Sequence, residues 1–304
     1  MADFQAYDGT RLAYREEGVA GEREPLLCLP GGAMRASAYL GDLGGLSAHR
    51  RLVLLDLRGT GDSQVPADPA TYRCDRQVDD VEALREHLGL DRIDLLAHSA
   101  GGDLAILYAA RCPRRVRTLT LVAARARALG VDFTAEQRRE AAALRGGEPW
   151  FEDAHAAYLR IWDGSATDAD FDAGTPFFYG SWTTTARAHA AAEAAQINDA
   201  AADVYASEGA FADPAGVRAA VAGLDARVLV LAGDLDGGPL PRVAAGVAGL
   251  FPRGEAAVQP GAGHFPWVDD PALFAGTVTK FLSGVTVRTG ESSEDAGGSV
   301  GGCG

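Results

Sequence analysis

Two kinds of hydrophobic pattern alternate along this chain. Short unbroken apolar runs stand at Pro25-Leu-Leu-Cys-Leu-Pro30, Arg51–Asp56, Ile93–His98, Val116–Ala123, Ala226–Gly233 and Glu255–Gln259. Runs of this length, bounded by Gly, Pro and Asp, predict strands buried on both faces. Between them, apolar residues recur at helical spacing. Val78, Val81, Leu84 and Leu88 mark a helix over Asp79–Leu88, stopped by Gly89, and Leu104, Leu107 and Tyr108 mark another directly after Ser99. Helices are also predicted through Tyr39–Leu46, over Pro241–Leu250 and over Pro271–Leu282. Strands alternating with helices in this way predict an α/β fold with a mostly parallel sheet, wound through right-handed crossovers. Only the amino-terminal end differs. There Asp8-Gly9-Thr10 separates two short extended stretches, Phe4–Tyr7 and Arg11–Arg15, and reads as an antiparallel hairpin.

The alternation breaks from about Arg125 to Val221. This segment is rich in Ala, helical in pattern and without a convincing apolar strand. Residues 1–124 and 222–283 therefore form an α/β core, with 125–221 inserted as a helical cap or lid and 284–304 a disordered tail of Gly, Ser, Glu and Thr. The insertion gathers aromatic residues, among them Trp150, Tyr158, Trp162, Phe178 and Trp182. Such rings either pack the insertion's own core or line a substrate pocket, and these five are the candidates for substrate contact.

Composition narrows the function classes. The net charge is −14, and the basic residues are scattered among acidic ones, so the cationic stripe that a nucleic-acid backbone requires is missing. No run reaches the ~18 consecutive apolar residues of a membrane span. Cys28, Cys74, Cys112 and Cys303 lack paired spacing and lie far from any histidine cluster, which argues against a zinc site and for reduced thiols in the cytoplasm. A cytoplasmic protein acting on a small molecule, with neither metal nor cofactor, is the expectation; the sequence leaves its oligomeric state open.

Ligands in open α/β sheets bind at the carboxyl ends of the strands, and four strands here end in useful chemistry. One ends at Gly31-Gly32, whose bare backbone can present the Gly32 N–H. One ends in the sharp turn Ala97-x-Ser99-x-Gly101, which offers a hydroxyl and the N–H of Ala100. The others end at Asp234-Leu-Asp236 and at Gly261-x-Gly263-His264. A serine hydroxyl needs an adjacent base, and the base needs a carboxylate to fix its tautomer. Ser99, His264 and one of the two aspartates fill those roles, with Gly32 and Ala100 as an oxyanion site. His98, beside Ser99, is expected to pack or bond beneath the turn. Arg58, in Asp56-x-Arg58-Gly59-x-Gly61-x-Ser63, reads as a loop brace.

These motifs together, in this order, resemble the α/β-hydrolase fold superfamily from about Phe4 to Leu282, and are similar to its esterase, lactonase and proline iminopeptidase-like branch. The resemblance implies an eight-stranded sheet flanked by helices, and its spacing of Gly233-x-x-Asp236 selects Asp236 as the acid. It also implies acyl transfer by a Ser99–His264–Asp236 triad, and because the insertion offers rings and few clustered charges the expected substrate is a small, fairly apolar ester, lactone or thioester. The sequence departs from the branch at Pro30, where His is usual, and at Ala33-Met34 and Ala100, where the peptidases tend to carry Pro-Gly and Trp. An aminopeptidase would further need carboxylates converging in the insertion, for which Glu148, Glu152, Asp153, Glu193 and Glu208 are available. A non-hydrolytic cyclase or receptor on the same scaffold is the remaining alternative.

Overall fold

The computed structural model describes residues 1–19, 21 and 23–287; the tail expected at 284–304 therefore lies mostly outside the described residues, as does Cys303. Eight strands form one sheet: β1 (Ala2–Gln5), β2 (Arg11–Glu17), β3 (Leu26–Leu29), β4 (Leu52–Leu55), β5 (Ile93–His98), β6 (Val116–Val122), β7 (Arg227–Gly233) and β8 (Gly254–Gln259). Their order is β1-β2-β4-β3-β5-β6-β7-β8. β2 pairs antiparallel with β1 and β4, and every other pairing is parallel.

Every residue of β3, β4 and β5 is buried, which is why these strands read as continuous apolar runs. Alternate side chains serve the two faces. Leu27, Leu29, Val53, Leu55, Leu95 and Ala97 pack with α1 (Val78–His87), α2 (Gly101–Arg111) and α9 (Pro241–Ala248). Leu26, Cys28, Leu52, Leu54 and Leu96 face Phe274, Val278 and Phe281 of α10 (Pro271–Leu282). Each fully buried Leu or Phe contributes about 1.5–3 kcal/mol relative to exposure, so the central strands anchor the loops at their carboxyl ends.

The helix expected through Tyr39–Leu46 does not form. Two short 3₁₀ turns, Ser37–Leu40 and Leu46–Ala48, flank a looped segment in which Gly41, Leu43, Gly44 and Gly45 all take positive φ. Those conformations interrupt any continuous helix, although Tyr39, Leu43 and Leu46 are buried.

Between β6 and β7 the structure is helical: α3 (Ala135–Ala143), α4 (Phe151–Asp163), α5 (Asp168–Gly174), α6 (Thr184–Ala191), α7 (Asp199–Tyr205) and α8 (Pro214–Val221). A capping box between Thr134 and Gln137 starts α3, and an Asp213 cap starts α8. This segment is tied to the loop after β3. Arg35, which is 1% exposed, donates to Gln196 Oε1 at 2.9 Å and to Glu193 Oε2 at 3.1 Å, and Ala36 N–H donates to the Gln196 carbonyl at 2.8 Å. Arg58 braces its loop, as its setting suggested: its guanidinium grips Asp80 with two 2.5 Å bonds and also reaches Asp8. Among the described residues no helix is long and apolar enough to cross a membrane.

Candidate active site

The geometry starts at the end of β5. Ser99 has φ +50, a left-handed conformation that costs a non-glycine residue roughly 1–3 kcal/mol and persists only where its surroundings enforce it. They do so from both sides. Ser99 N–H donates to Val122 O at 3.0 Å, while its carbonyl accepts from Gly102 N–H and Arg125 N–H, each at 2.9 Å. Close approach by the neighbouring loop requires a missing side chain: a Cβ on Gly31 would lie 2.5 Å from His98 O and 2.6 Å from Ser99 Cβ. The turn therefore presents the half-buried Ser99 side chain at the carboxyl edge of the sheet.

His264 follows β8 through Gly261 and Gly263, and its own N–H donates to Phe178 O at 2.8 Å. A Cβ on Gly263 would fall 2.7 Å from that same oxygen, so glycine is what lets the His264 loop lie against the segment after α5. The imidazole Nε2 stands 2.9 Å from Ser99 Oγ, and Nδ1 stands 3.0 Å from Asp236 Oδ2. Asp236 is 2% exposed, and its Oδ1 also accepts from Gly238 N–H at 2.9 Å. A carboxylate can only accept, so Nδ1 carries the proton and Nε2 turns its lone pair to the Ser99 hydroxyl. Asp234, the alternative acid, makes no bond to His264; among the described residues its buried Oδ1 has no partner.

Gly32 and Ala100 sit on the two loops that meet beside Ser99. Neither main-chain N–H donates to another group among the described residues, whereas the Gly31 N–H is already taken by the Tyr39 hydroxyl at 2.6 Å. The Ala100 carbonyl is held from behind by the Tyr205 hydroxyl at 3.0 Å, which steadies the start of α2.

The aromatic candidates divide. Phe178 lies 6.0 Å from the His264 ring, Trp162 5.9 Å and Tyr158 6.1 Å from Phe178. Trp150 is one ring further out, edge-on to Phe177 at 4.9 Å, and Phe177 stacks on Tyr158 at 4.3 Å. Trp182 lies elsewhere, against Tyr179 at 5.4 Å and under Arg187. The Tyr158 hydroxyl faces the Asp236 loop closely enough that a Cβ on Gly237 would strike it at 2.1 Å. Burial raises that phenol to about 12.

Three residues that matter here carried no sequence signal. Tyr39 joins the loop after β3 to His98, with its hydroxyl 2.8 Å from His98 Nδ1. Arg125 and Arg138 stand beside the aromatic group, the first over Phe133 at 4.9 Å and the second over Trp162 at 3.7 Å. The carboxylates of the insertion do not converge. Glu193 pairs with Arg35 and Glu148 with Arg145, while Glu152, Asp153 and Glu208 are exposed. Among the described residues no group of three or more His, Cys, Asp or Glu is arranged to hold a metal ion.

Solved structures share this architecture. A proline iminopeptidase from Mycobacterium smegmatis superposes with a TM-score of 0.70 at 22% identity, covering 93% of this chain and 98% of that one. A thermophilic esterase from Thermogutta terrifontis gives 0.65 at 22%, covering 93% and 99%. In sequence, a proline iminopeptidase from Lactobacillus helveticus is 40% identical over 103 residues, which is 33% of this chain and 35% of that protein. The chain thus spans about a third of the length of the curated relatives it matches. A family model described as the alpha/beta hydrolase fold matches residues 24–271. With its sheet order, its serine turn after β5 and that match over most of its length, the chain belongs to the alpha/beta hydrolase fold family.

Proposed function

We propose that this protein is a serine hydrolase that cleaves a small carboxylic ester, lactone or thioester through an acyl-enzyme. The observation that carries the reading is the bridging imidazole of His264, 2.9 Å from a strained serine and 3.0 Å from a buried carboxylate. In this reading Ser99 Oγ attacks the substrate carbonyl carbon as its proton passes to His264 Nε2. Asp236 holds the Nδ1–H and stabilises the imidazolium that forms. The negative charge on the carbonyl oxygen is met by the N–H groups of Gly32 and Ala100. The tetrahedral intermediate collapses as Nε2 protonates the departing alkoxide or thiolate. Water, deprotonated by the same nitrogen, then releases the acid and restores Ser99. Residues 125–221 act as a cap whose Phe178, Trp162 and Tyr158 contact the substrate, with Trp150 and Trp182 at greater remove.

Cleavage of an amino-terminal proline is the second reading, favoured by the likeness to iminopeptidases. It is weighed down by the dispersed carboxylates of the cap, since a substrate ammonium buried among rings needs a converging anion. A fluorophosphonate probe tests the main reading. It should label wild-type protein and fail on Ser99→Ala; a folded wild type that resists the probe refutes it. Turnover of p-nitrophenyl esters against prolyl anilides then separates the two hydrolytic readings.

A further inference from the structure

Arg138 is 9% exposed, and among the described residues its guanidinium has neither a hydrogen bond nor a carboxylate partner. Its Cζ lies over the Trp162 ring, 3.7 Å from the centroid. Arg125 leaves β6 beside the serine turn, its main-chain N–H bonded to Ser99 O at 2.9 Å. Its side chain is 19% exposed and covers Phe133. Phe133 in turn abuts Gly238, whose N–H holds Asp236. Among the described residues one carboxylate approaches Arg125, that of Asp132 at 3.3 Å, but it is 53% exposed and Arg125 Nη1 has no hydrogen-bond acceptor. Asp103 is engaged by Arg127 at 2.9 Å and by Ala128 N–H at 3.0 Å.

We propose that Arg125 and Arg138 form an anion subsite of the Ser99 pocket, and that the natural substrate carries a carboxylate at the end remote from the bond that is cleaved. This deepens the hydrolase reading and rests on it. Two guanidinium forks offer the planar paired donors that a carboxylate accepts, in a setting where the ions are shielded from water. The position fits. Arg138 joins the scissile centre through Trp162, Phe178 and His264, each ring about 6 Å from the next. Arg125 joins it through the main chain of Ser99. The rings between would hold an apolar spacer, and the guanidiniums would hold its charged end. Burial opposes ionisation of both groups, and for Arg138 the Arg125 charge adds to this. Guanidinium nonetheless stays protonated, so the remedy is a counter-ion brought by the ligand. Two cations without full compensation would repel a substrate's free amino group, which also counts against the prolyl reading.

The test compares mono-p-nitrophenyl esters of adipate, pimelate and suberate with the p-nitrophenyl alkanoates of equal chain length. A second series compares 4-acetoxybenzoate with 4-methylphenyl acetate, placing the carboxylate on the leaving group. Wild type should favour the anionic member of at least one series by 10-fold or more in kcat/KM. Arg125→Gln and Arg138→Gln should reduce that ratio at least 10-fold, chiefly through KM. Fluorophosphonate labelling of Ser99 in each variant shows that the site is still assembled. If wild type hydrolyses both members of each series equally well, the subsite is refuted while the hydrolase reading stands. If wild type neither turns over esters nor takes the probe, the hydrolase reading fails. Calorimetry with suberate then decides the subsite alone: saturable binding that both variants lose supports it, and no binding to wild type overturns it.

Discussion

His98 Nε2 lies 2.8 Å from the main-chain oxygen of His264. A carbonyl only accepts, so His98 carries its proton on Nε2, and Nδ1 must accept from the Tyr39 hydroxyl 2.8 Å away. Tyr39 in turn accepts from Gly31 N–H. One buried chain of bonds therefore links the backbone of His264 to the loop bearing Gly31 and Gly32. His98 is held neutral, its pKa pushed well below the usual histidine range by burial and then by the nearby His264.

That neutrality has a pH signature. The unfolded chain takes up a proton near pH 6.5 and the folded chain does not, so His98 makes folding less favourable as pH falls below that point. The limit for one proton is about 1.4 kcal/mol per pH unit. His98→Gln should be less stable than wild type at pH 7.5, and the gap in Tm should narrow steadily toward pH 5.5. A gap that holds constant over that range would mean that His98 takes up its proton as readily in the fold as in the unfolded chain.

The choice of acid rests on contact with His264, which Asp236 makes and Asp234 does not. Asp236→Asn should lower kcat on a p-nitrophenyl ester by a factor on the order of 10³–10⁴ through loss of the correct tautomer. Asp234→Asn should change it by less than about fivefold. Steady-state kinetics of the two variants, side by side, would expose a wrong assignment by reversing their order.

Gly31→Ala would insert a methyl 2.5 Å from His98 O and 2.6 Å from Ser99 Cβ. Both neighbours belong to a turn that is already strained, so the loops must part. We expect a loss of stability of about 2 kcal/mol or more, typical of overpacking, and a fall in kcat of at least roughly 100-fold as the Ala100 and Gly32 amides separate. Thermal unfolding and ester kinetics on the same preparation check both. Near-normal kcat would place the oxyanion donors elsewhere.

Arg138→Met keeps most of the apolar stem over Trp162 and removes a buried charge that, among the described residues, has no hydrogen bond or carboxylate partner. The variant should therefore be more stable than wild type, by about 1 kcal/mol, or roughly 2–4 °C in Tm for a domain of this size. Scanning calorimetry without ligand is the measurement; a lower Tm would show that the guanidinium serves the fold itself.

Much of this was legible from local pattern. Strands buried on both faces must be apolar throughout, so Leu26–Leu29, Leu52–Leu55 and Ile93–His98 announced a parallel sheet and, at their ends, the loops where chemistry sits. The same logic marked Ser99, His264 and the pair Asp234 and Asp236, because small residues and strand ends are local features; the choice of Asp236 within that pair came from the resemblance to the family. The helix expected through Tyr39–Leu46 fails to form because turns can bury the same side chains, and Gly41, Gly44 and Gly45 take positive φ there.

What the sequence by itself determined was the alternation of elements and the set of loops with reactive ends. Tertiary structure alone decided the partners: that His98 holds the backbone of His264, 166 residues away, that Tyr39 bridges it to Gly31, and that Arg138 is left without a carboxylate among the described residues while Glu193 is taken by Arg35. The physical reason is range. Burial pattern and turn preference act over a few neighbouring residues, whereas an ion pair or hydrogen bond between distant segments depends on where the sheet brings their ends, and charge placement along the chain does not record it.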